Sequence, residues 1–289
     1  MPALQVSTID AKGVGARILR GGEGSKVTVF VDGAVPGVTP YGSGAHLWGD
    51  VPRRFAEESR VVVIDGAIAP AYSTLDDMKA HLLAVLRALA LPRCHLVAHD
   101  TAGLAALLLS CEVPELIGAV TAVSSIAATP TGDGVENMTL AFAPSPCESH
   151  QAQRWALERL SYSHLHVVDA LVDACAVTAG SAAWREAAAR MAQPDASRRW
   201  VGALARAKAG LFEICRGKGV PVPVQVVWGT HDPLGTMDQG LWLFRLLAQR
   251  QPQAHFHVIN RAGALPFREG ADAFHQAVAA FGDAVVRPD

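Results

Sequence analysis

Two aspartates stand where a buried strand ends, the position from which a side chain can reach a substrate. Asp100 lies in His95-Leu-Val-Ala-His-Asp-Thr-Ala-Gly103: the apolar β-run Cys94 to Ala98, then a reactive side chain, then the small residues Ala102 and Gly103. This is the form of a nucleophile elbow. Its usual pattern, G-x-S-x-G, keeps small residues around a sharp strand-to-helix turn so that the central side chain is held exposed. Here the pattern reads Ala98-His99-Asp100-Thr101-Ala102, with alanines for both glycines and aspartate for serine. A carboxylate at that corner can attack carbon or move protons. The second aspartate, Asp232, sits in Trp228-Gly-Thr-His-Asp-Pro-Leu234. Enclosed together, two carboxylates do not both ionise easily, because burial and like charge raise the pKa of one of them. The backbone N–H groups of Thr101 and Ala34 are expected to form an oxyanion pocket, since they need no particular side chain.

The elements that must hold these residues alternate as strand and helix. Val6 to Leu19 reads as one or two opening strands around Gly13 and Gly15, and Lys26 to Asp32 is a β-branched run ending at Gly33. The glycine-rich loop Gly33 to Gly44 leads to an expected helix, Ala45 to Ser59. Arg60 to Asp65 is the next buried strand, followed by a short loop 66–72 and a helix opened by a Thr74/Asp77 capping box, with Met78, Leu82, Val85, Leu86 and Leu89 on one face. After the elbow come a strand, Ala119 to Ser125, and a stretch from Ile126 to Lys218 with little strand signal, alanine-rich helices and breaks at Pro130, Pro144, Pro146 and Pro194. Strands resume at Val222 to Trp228 and His255 to Ile259, and a helix around Phe274 to Phe281 closes the chain. The expected architecture is α/β, a mostly parallel sheet with flanking helices, formed by residues 1–125 and 219–289, with residues 126–218 as a helical cap over the strands' carboxyl ends, where ligands of open α/β sheets bind.

Composition narrows the function. With 289 residues, half of them hydrophobic, and a formal charge of −2, the chain can bury a full core and carries no basic stripe for nucleic acid or an anionic membrane. The first residues lack a charged and then apolar leader, and no apolar run approaches the roughly 18 residues of a membrane span; a cytoplasmic protein is expected. Five scattered cysteines, with no C-x-x-C pair, suit reduced thiols. No histidine pair has ligand spacing with carboxylates, so neither a metal nor another cofactor is expected. The expected partner is a small-molecule substrate, and a homodimer is compatible with the reading.

The order elbow, cap, acid resembles that of α/β-hydrolases over the whole chain. More narrowly, Asp32-Gly-Ala-Val-Pro-Gly-Val38, the stretch Leu160 to Asp173 and Asn260-Arg-Ala-Gly-Ala-Leu-Pro-Phe-Arg-Glu269 are similar to meta-cleavage-product hydrolases, carbon-carbon hydrolases of ring-opened aromatic compounds. The resemblance puts the catalytic serine on Asp100 and the acid on Asp232. It puts the histidine on Ala264, a substrate-holding cap arginine near Cys175, and the histidine of an H-G pair on Asp32. Losing the triad histidine removes the group that takes and returns the serine proton, so standard serine-hydrolase chemistry is not expected.

Three readings of Asp100 follow. As a proton-transferring group it would serve lyase, isomerase, cyclase or carbon-carbon cleavage chemistry, without a cofactor, on a small apolar carbonyl or aromatic compound. As a nucleophile, resembling the H-D pair of dehalogenases and epoxide hydrolases, it would need a base to hydrolyse the ester. As an inert helix N-cap it would leave a binding or scaffold homologue. Asp232 is also explicable as a turn residue, and Asp32 as a loop-capping carboxylate. His99 is expected to look away from the pocket, because successive strand side chains alternate. Further substrate contacts are expected from Asp32, His46, Cys175, Arg261 and Leu265. His150, His164 and His166 can also reach a pocket, and Trp155, Trp184 and Trp200 are expected to anchor cap helices.

Overall fold

The computed structural model describes residues 2–65, 74–130 and 139–285; the expected loop 66–72 lies outside them. Eight strands form one sheet in the order β1-β2-β4-β3-β5-β6-β7-β8. β1 (Gln5–Ala11) and β2 (Val14–Gly21) are an antiparallel hairpin, turned by Lys12 and Gly13 at φ 57° and 82°, the left-handed pair that a two-residue hairpin needs. The remaining strands, β3 (Val27–Val31), β4 (Arg60–Ile64), β5 (Cys94–His99), β6 (Ile117–Val123), β7 (Val224–Gly229) and β8 (Ala254–Ile259), run parallel to one another. The central ones read as continuous buried apolar runs because helices cover both faces.

Alternation along each strand splits the core in two. Val29, Val31, Leu96, Ala98, Val120 and Ala122 pack with α2 (Leu75–Ala88) and α3 (Thr101–Glu112) on one face. Phe30, Val97, Val123 and Val227 pack on the other with Trp48, Phe267 and Phe274. The expected capping box is present at the start of α2: Thr74 Oγ1 accepts from Asp77 N–H and Asp77 accepts from Thr74 N–H. The expected helix from Ala45 to Ser59 is broken. A 3-10 turn, Ala45–Trp48, and the short α1, Val51–Phe55, are separated at Gly49, whose φ of 58° ends the first.

Between β6 and β7 the described residues form no strand. Their helices are α4 (His150–Arg159), α5 (Asp169–Ala179), α6 (Ala182–Met191) and α7 (Pro194–Arg216). Trp200, Leu211 and Cys215 of α7 join the core on the α2/α3 face, while Leu157, Leu171 and Cys175 join the other, so these helices pack on the sheet and its own helices. Trp184 and Trp200 are buried as anchors; Trp155 is half-buried, with the Arg159 guanidinium 4.6 Å from its ring centre. After β7 come α8 (Met237–Ala248), β8, α9 (Pro266–Glu269) and α10 (Ala271–Val285).

The loop after β3 lies directly against the elbow. A Cβ at Gly33 would stand 2.7 Å from the Thr101 nitrogen and closer still to that of Ala102, and backbone cannot swing aside as a flexible side chain would. Gly33→Ala should therefore cost on the order of 2–3 kcal/mol, read as a lowered denaturation midpoint; an unchanged midpoint would show that loop and elbow are not in contact.

Candidate active site

Asp100 occupies the sharp turn between β5 and α3 at φ 51°, ψ −127°, a left-handed conformation that costs a non-glycine residue about 1–3 kcal/mol. Its surroundings impose the conformation. The Asp100 N–H donates to the Val123 carbonyl at 3.0 Å, and its own carbonyl accepts from Gly103 N–H at 3.0 Å and from the Ser125 hydroxyl at 2.7 Å. A Cβ at Gly103 would meet that hydroxyl at 2.5 Å. No cap hydrogen bond runs from its side chain to the second or third turn position of α3, but the N–H of Thr101, the first residue of α3, favours its charged form.

Beside the elbow lies a buried ion pair. Val31 pairs with Ala98 in register, which sets the next residues, Asp32 and His99, side by side on one face of the sheet. His99 Nδ1 is 2.6 Å from Asp32 Oδ1, and Nε2 is 2.9 Å from the Ala264 carbonyl. A carbonyl accepts only, so Nε2 carries a proton; a carboxylate that also accepts from Ala34 N–H (3.0 Å) and the Ser43 hydroxyl is ionised, so Nδ1 carries one too. Burial alone would push the Asp32 carboxyl up, but His99, Ser43 and Ala34 hold it below the usual carboxylate range. Burial would lower His99, and Asp32 more than offsets it. His99 thus keeps to the face that alternation assigns it, but that face adjoins the elbow, where the imidazolium acts on Asp100 electrostatically.

Both candidate acids are shifted upward. Burial raises Asp100 to about 7, opposed by His99 and the Thr101 N–H and reinforced by Asp32 and Asp232. Burial raises Asp232 to about 6 against the N–H groups of Leu234 and Gly235, which its Oδ1 accepts at 2.9 and 3.3 Å. Asp232 is therefore a turn-capping residue and also a group coupled to Asp100. Asp32 is the loop-capping carboxylate of the first alternative.

Several expected contacts are placed elsewhere. The Ala34 N–H is taken up by Asp32 and cannot serve as an oxyanion donor in this arrangement; Thr101, at the start of α3, is nearly buried beside Asp100. Leu265 is fully buried in the core, with no surface to offer a substrate. Cys175 is fully buried as well; its thiol, pushed up to about 12 by burial, lies 3.4 Å from His46 Nε2. His46 also reaches the Gly42 carbonyl at 3.1 Å, and burial keeps it neutral. Arg261 is exposed, 5.9 Å from the Tyr162 ring centre. No group of three or more metal-ligating side chains occurs among the described residues, and no helix among them is long and apolar enough to cross a membrane.

Three contributors escaped the sequence reading. Ser43 completes the shell of Asp32. Glu269 takes the N–H groups of Gly263 (2.6 Å) and Ser163 (2.7 Å), tying the loop after β8 to the segment after α4. Tyr41, one of only three tyrosines, stands alone in the glycine-rich loop and is buried within electrostatic reach of Asp32, Asp100 and Asp232. Its isolation in that loop was the available signal.

A family model described as alpha/beta hydrolase fold matches residues 65–271. The chain belongs to the alpha/beta hydrolase fold family. This alpha/beta hydrolase has the fold of CarC, a serine hydrolase involved in carbazole degradation (19% identity, 98% of this chain and 100% of that one, TM-score 0.76). It is equally similar to the meta-cleavage product hydrolase CumD from Pseudomonas fluorescens IP01 (20% identity, 96% and 97%, TM-score 0.76). A third relative is the 2-hydroxy-6-oxo-6-phenylhexa-2,4-dienoate hydrolase BphD from Rhodococcus sp. strain RHA1 (18% identity, 96% and 98%, TM-score 0.69). At these identities the likeness is one of fold. No curated protein matches the chain.

Removing His99 strands the Asp32 charge in the interior, and breaking a buried pair from one side costs roughly 3–5 kcal/mol. His99→Ala should lose stability of that size in urea at pH 6. The pair's contribution should fade on acidification, as Asp32 takes a proton, and again above neutrality, as His99 gives one up; a pH-independent loss would contradict the charged pair.

Proposed function

We propose that this alpha/beta hydrolase is an enzyme of acid/base chemistry, in which Asp100 moves a proton to and from carbon next to a carbonyl in a small, largely apolar, aromatic-bearing substrate. The observation that carries the reading is Asp100 itself: a carboxylate in the strained elbow, raised to about 7 in spite of the Thr101 N–H, with a second raised carboxylate near it. General acid/base groups work best when their pKa lies near the working pH. The ionised Asp100 takes the carbon-bound proton; the C–H electron pair forms a carbon-carbon double bond and the carbonyl π pair moves to oxygen, giving an enolate. Asp100, now protonated, returns the proton to the same or a conjugated carbon. Isomerisation, elimination and retro-aldol-type cleavage all pass through that enolate. Asp232 tunes Asp100 by sharing its burden of charge, and the Thr101 N–H, which favours the ionised form of Asp100, helps it to let its proton go.

A triad mechanism is disfavoured because Ala264 stands in the loop after β8 and the imidazole next to the elbow has both nitrogens occupied. The same occupancy counts against a nucleophilic Asp100, whose ester would lack a base to activate water. Among the relatives are a meta-cleavage product hydrolase and a 2-hydroxy-6-oxo-6-phenylhexa-2,4-dienoate hydrolase, the latter's substrate an aryl-bearing carbonyl compound, which fits the substrate class proposed.

The test is exchange of α-protons in D2O with aryl methyl ketones and aryl 1,3-diketones, followed by NMR. Exchange should rise with pH through an apparent value near 7 that belongs to the coupled pair, and Asp100→Asn should slow it at least ~100-fold. Exchange by that variant at the wild-type rate overturns the reading, and a covalent mass gain with alkyl halides or epoxides would install the nucleophile instead. Stability gives a second check. Between the ordinary carboxylate range and about 7 the native state binds a proton that the unfolded chain does not, so Asp100 costs stability as pH rises. Asp100→Asn should stabilise the protein at pH 8 by on the order of 4 kcal/mol and hardly at all at pH 4.

A further inference from the structure

Away from the elbow, a cleft of about 390 Å³ opens between β2, β4 and α5, a volume within the range of small-molecule sites. Its floor is a cross-strand pair, Leu19 of β2 against Val63 of β4. Its far wall is one face of α5, where Ala174, Val177 and Thr178 stand together at i, i+3 and i+4. Val177 is 76% exposed there, an aliphatic surface left open to solvent. The rim is cationic. Arg17 is neutralised by Asp65, and Arg53 bonds Asp50 at 3.2 Å with both side chains more than half exposed, a surface pair of little strength. Arg268 is not neutralised at all. Its Nη1 donates to the carbonyls of His46 and Leu47 at 3.0 and 3.1 Å, which satisfies N–H groups without bringing negative charge. Its Nε is buried without an acceptor, and Asp50 acts on it only from a distance. This guanidinium stands behind Gly49, which lines the cleft: a Cβ there would meet Nη1 at 3.2 Å. Enclosing an arginine that no carboxylate pairs is costly, because desolvation goes uncompensated.

We infer that this cleft binds the monoanion of an apolar organic acid, a medium-chain or aryl carboxylate, with its charge toward Arg53 and Arg268 and its hydrocarbon over Leu19, Val63 and Val177. The charge count selects the ligand. Three guanidiniums, those of Arg17, Arg53 and Arg268, face the two carboxylates of Asp50 and Asp65, so one negative charge balances the walls. A cation adds to the imbalance, and a neutral alcohol gains apolar contact alone. His46, also on the lining, brings no charge: burial keeps it neutral, and its Nε2 is committed to the Gly42 carbonyl. None of Asp32, Asp100 and Asp232 lines the cleft, so the acid it takes is not bound as the substrate of the elbow.

The probe is octanoate, titrated calorimetrically at pH 8 into the full chain, with octan-1-ol and the octyltrimethylammonium cation as controls. Wild type should bind one octanoate at least ~10-fold more tightly than octanol, the worth of a hydrogen bond between charged groups, and should not bind the cation. Val177→Asp, which sets a negative charge on the exposed wall, should weaken octanoate by roughly the same factor, and Arg53→Gln should weaken octanoate but not octanol. Both side chains are exposed, so each variant should melt within about 2 °C of wild type. No binding by wild type, equal affinity for acid and alcohol, or wild-type affinity in Val177→Asp overturns the inference. Arg53→Gln decides independently, since an undiminished preference for acid over alcohol there overturns it too. Tighter octanoate binding in Asp100→Asn would seat the anion at the elbow and also overturn it.

Discussion

The contact between His99 and Asp32 joins three segments distant in sequence: the end of β3, the end of β5 and, through the Ala264 carbonyl, the loop after β8. Each segment carries a group of the candidate site or the backbone next to one. Because a buried charge without its partner costs several kcal/mol, none of the three can drift without stranding either the imidazolium or the carboxylate. Asp32 extends the constraint by gathering Ser43 and Ala34, which fixes the start of the glycine-rich loop against the elbow, where Gly33 leaves room for nothing larger than hydrogen.

Charge counting at this edge gives the site its character. Asp32 and His99 cancel. That leaves Asp100 and Asp232, both enclosed and both raised chiefly by burial, Asp232 adding to the shift of Asp100, while His99 and the backbone N–H groups of Thr101, Leu234 and Gly235 favour ionisation without offsetting it. Two like charges in such surroundings are held apart in protonation, one ionised while the other keeps its proton near neutrality. The upward shifts therefore arise from where the sheet sets these groups: β5 ends one residue beyond its pair with β3 and β7 delivers its acid from a turn, both into buried surroundings whose effect the N–H groups on Asp232 only partly oppose.

Much of this could be read from the chain. The parallel strands announce themselves as β-branched runs, the elbow as a reactive residue followed by small ones, and the capping box of α2 as Thr74 and Asp77. The helix expected from Ala45 to Ser59 failed because its apolar spacing hid a break at Gly49, where the positive φ is a tertiary demand. Ala34 was misjudged for a different reason: backbone amides look interchangeable in sequence, and only the fold shows that a carboxylate two residues earlier has claimed this one. Leu265 and Cys175 carry over positions from a resemblance, but the depth at which a position sits depends on helix packing that no motif records. Alternation sent His99 away from the pocket, yet it lies beside the elbow between Asp32 and the Ala264 carbonyl, a placement that follows from the register of β3 against β5.

Ala264 is held by its backbone from two sides. Its N–H donates to the Leu160 carbonyl at 2.8 Å and its carbonyl accepts from His99 at 2.9 Å, so both backbone groups are occupied from opposite sides. Gly263, next to it, is pressed against the Leu160 carbonyl so closely that no Cβ would fit, and Glu269 draws the same loop and the segment after α4 together. A loop clamped in this way gains nothing from a mobile basic side chain and serves as the joint between the helices that follow β6 and the sheet beneath them. With the loop after β8 committed to holding the structure, the groups at this edge whose charge the fold leaves unsettled are the two raised carboxylates, Asp100 and Asp232.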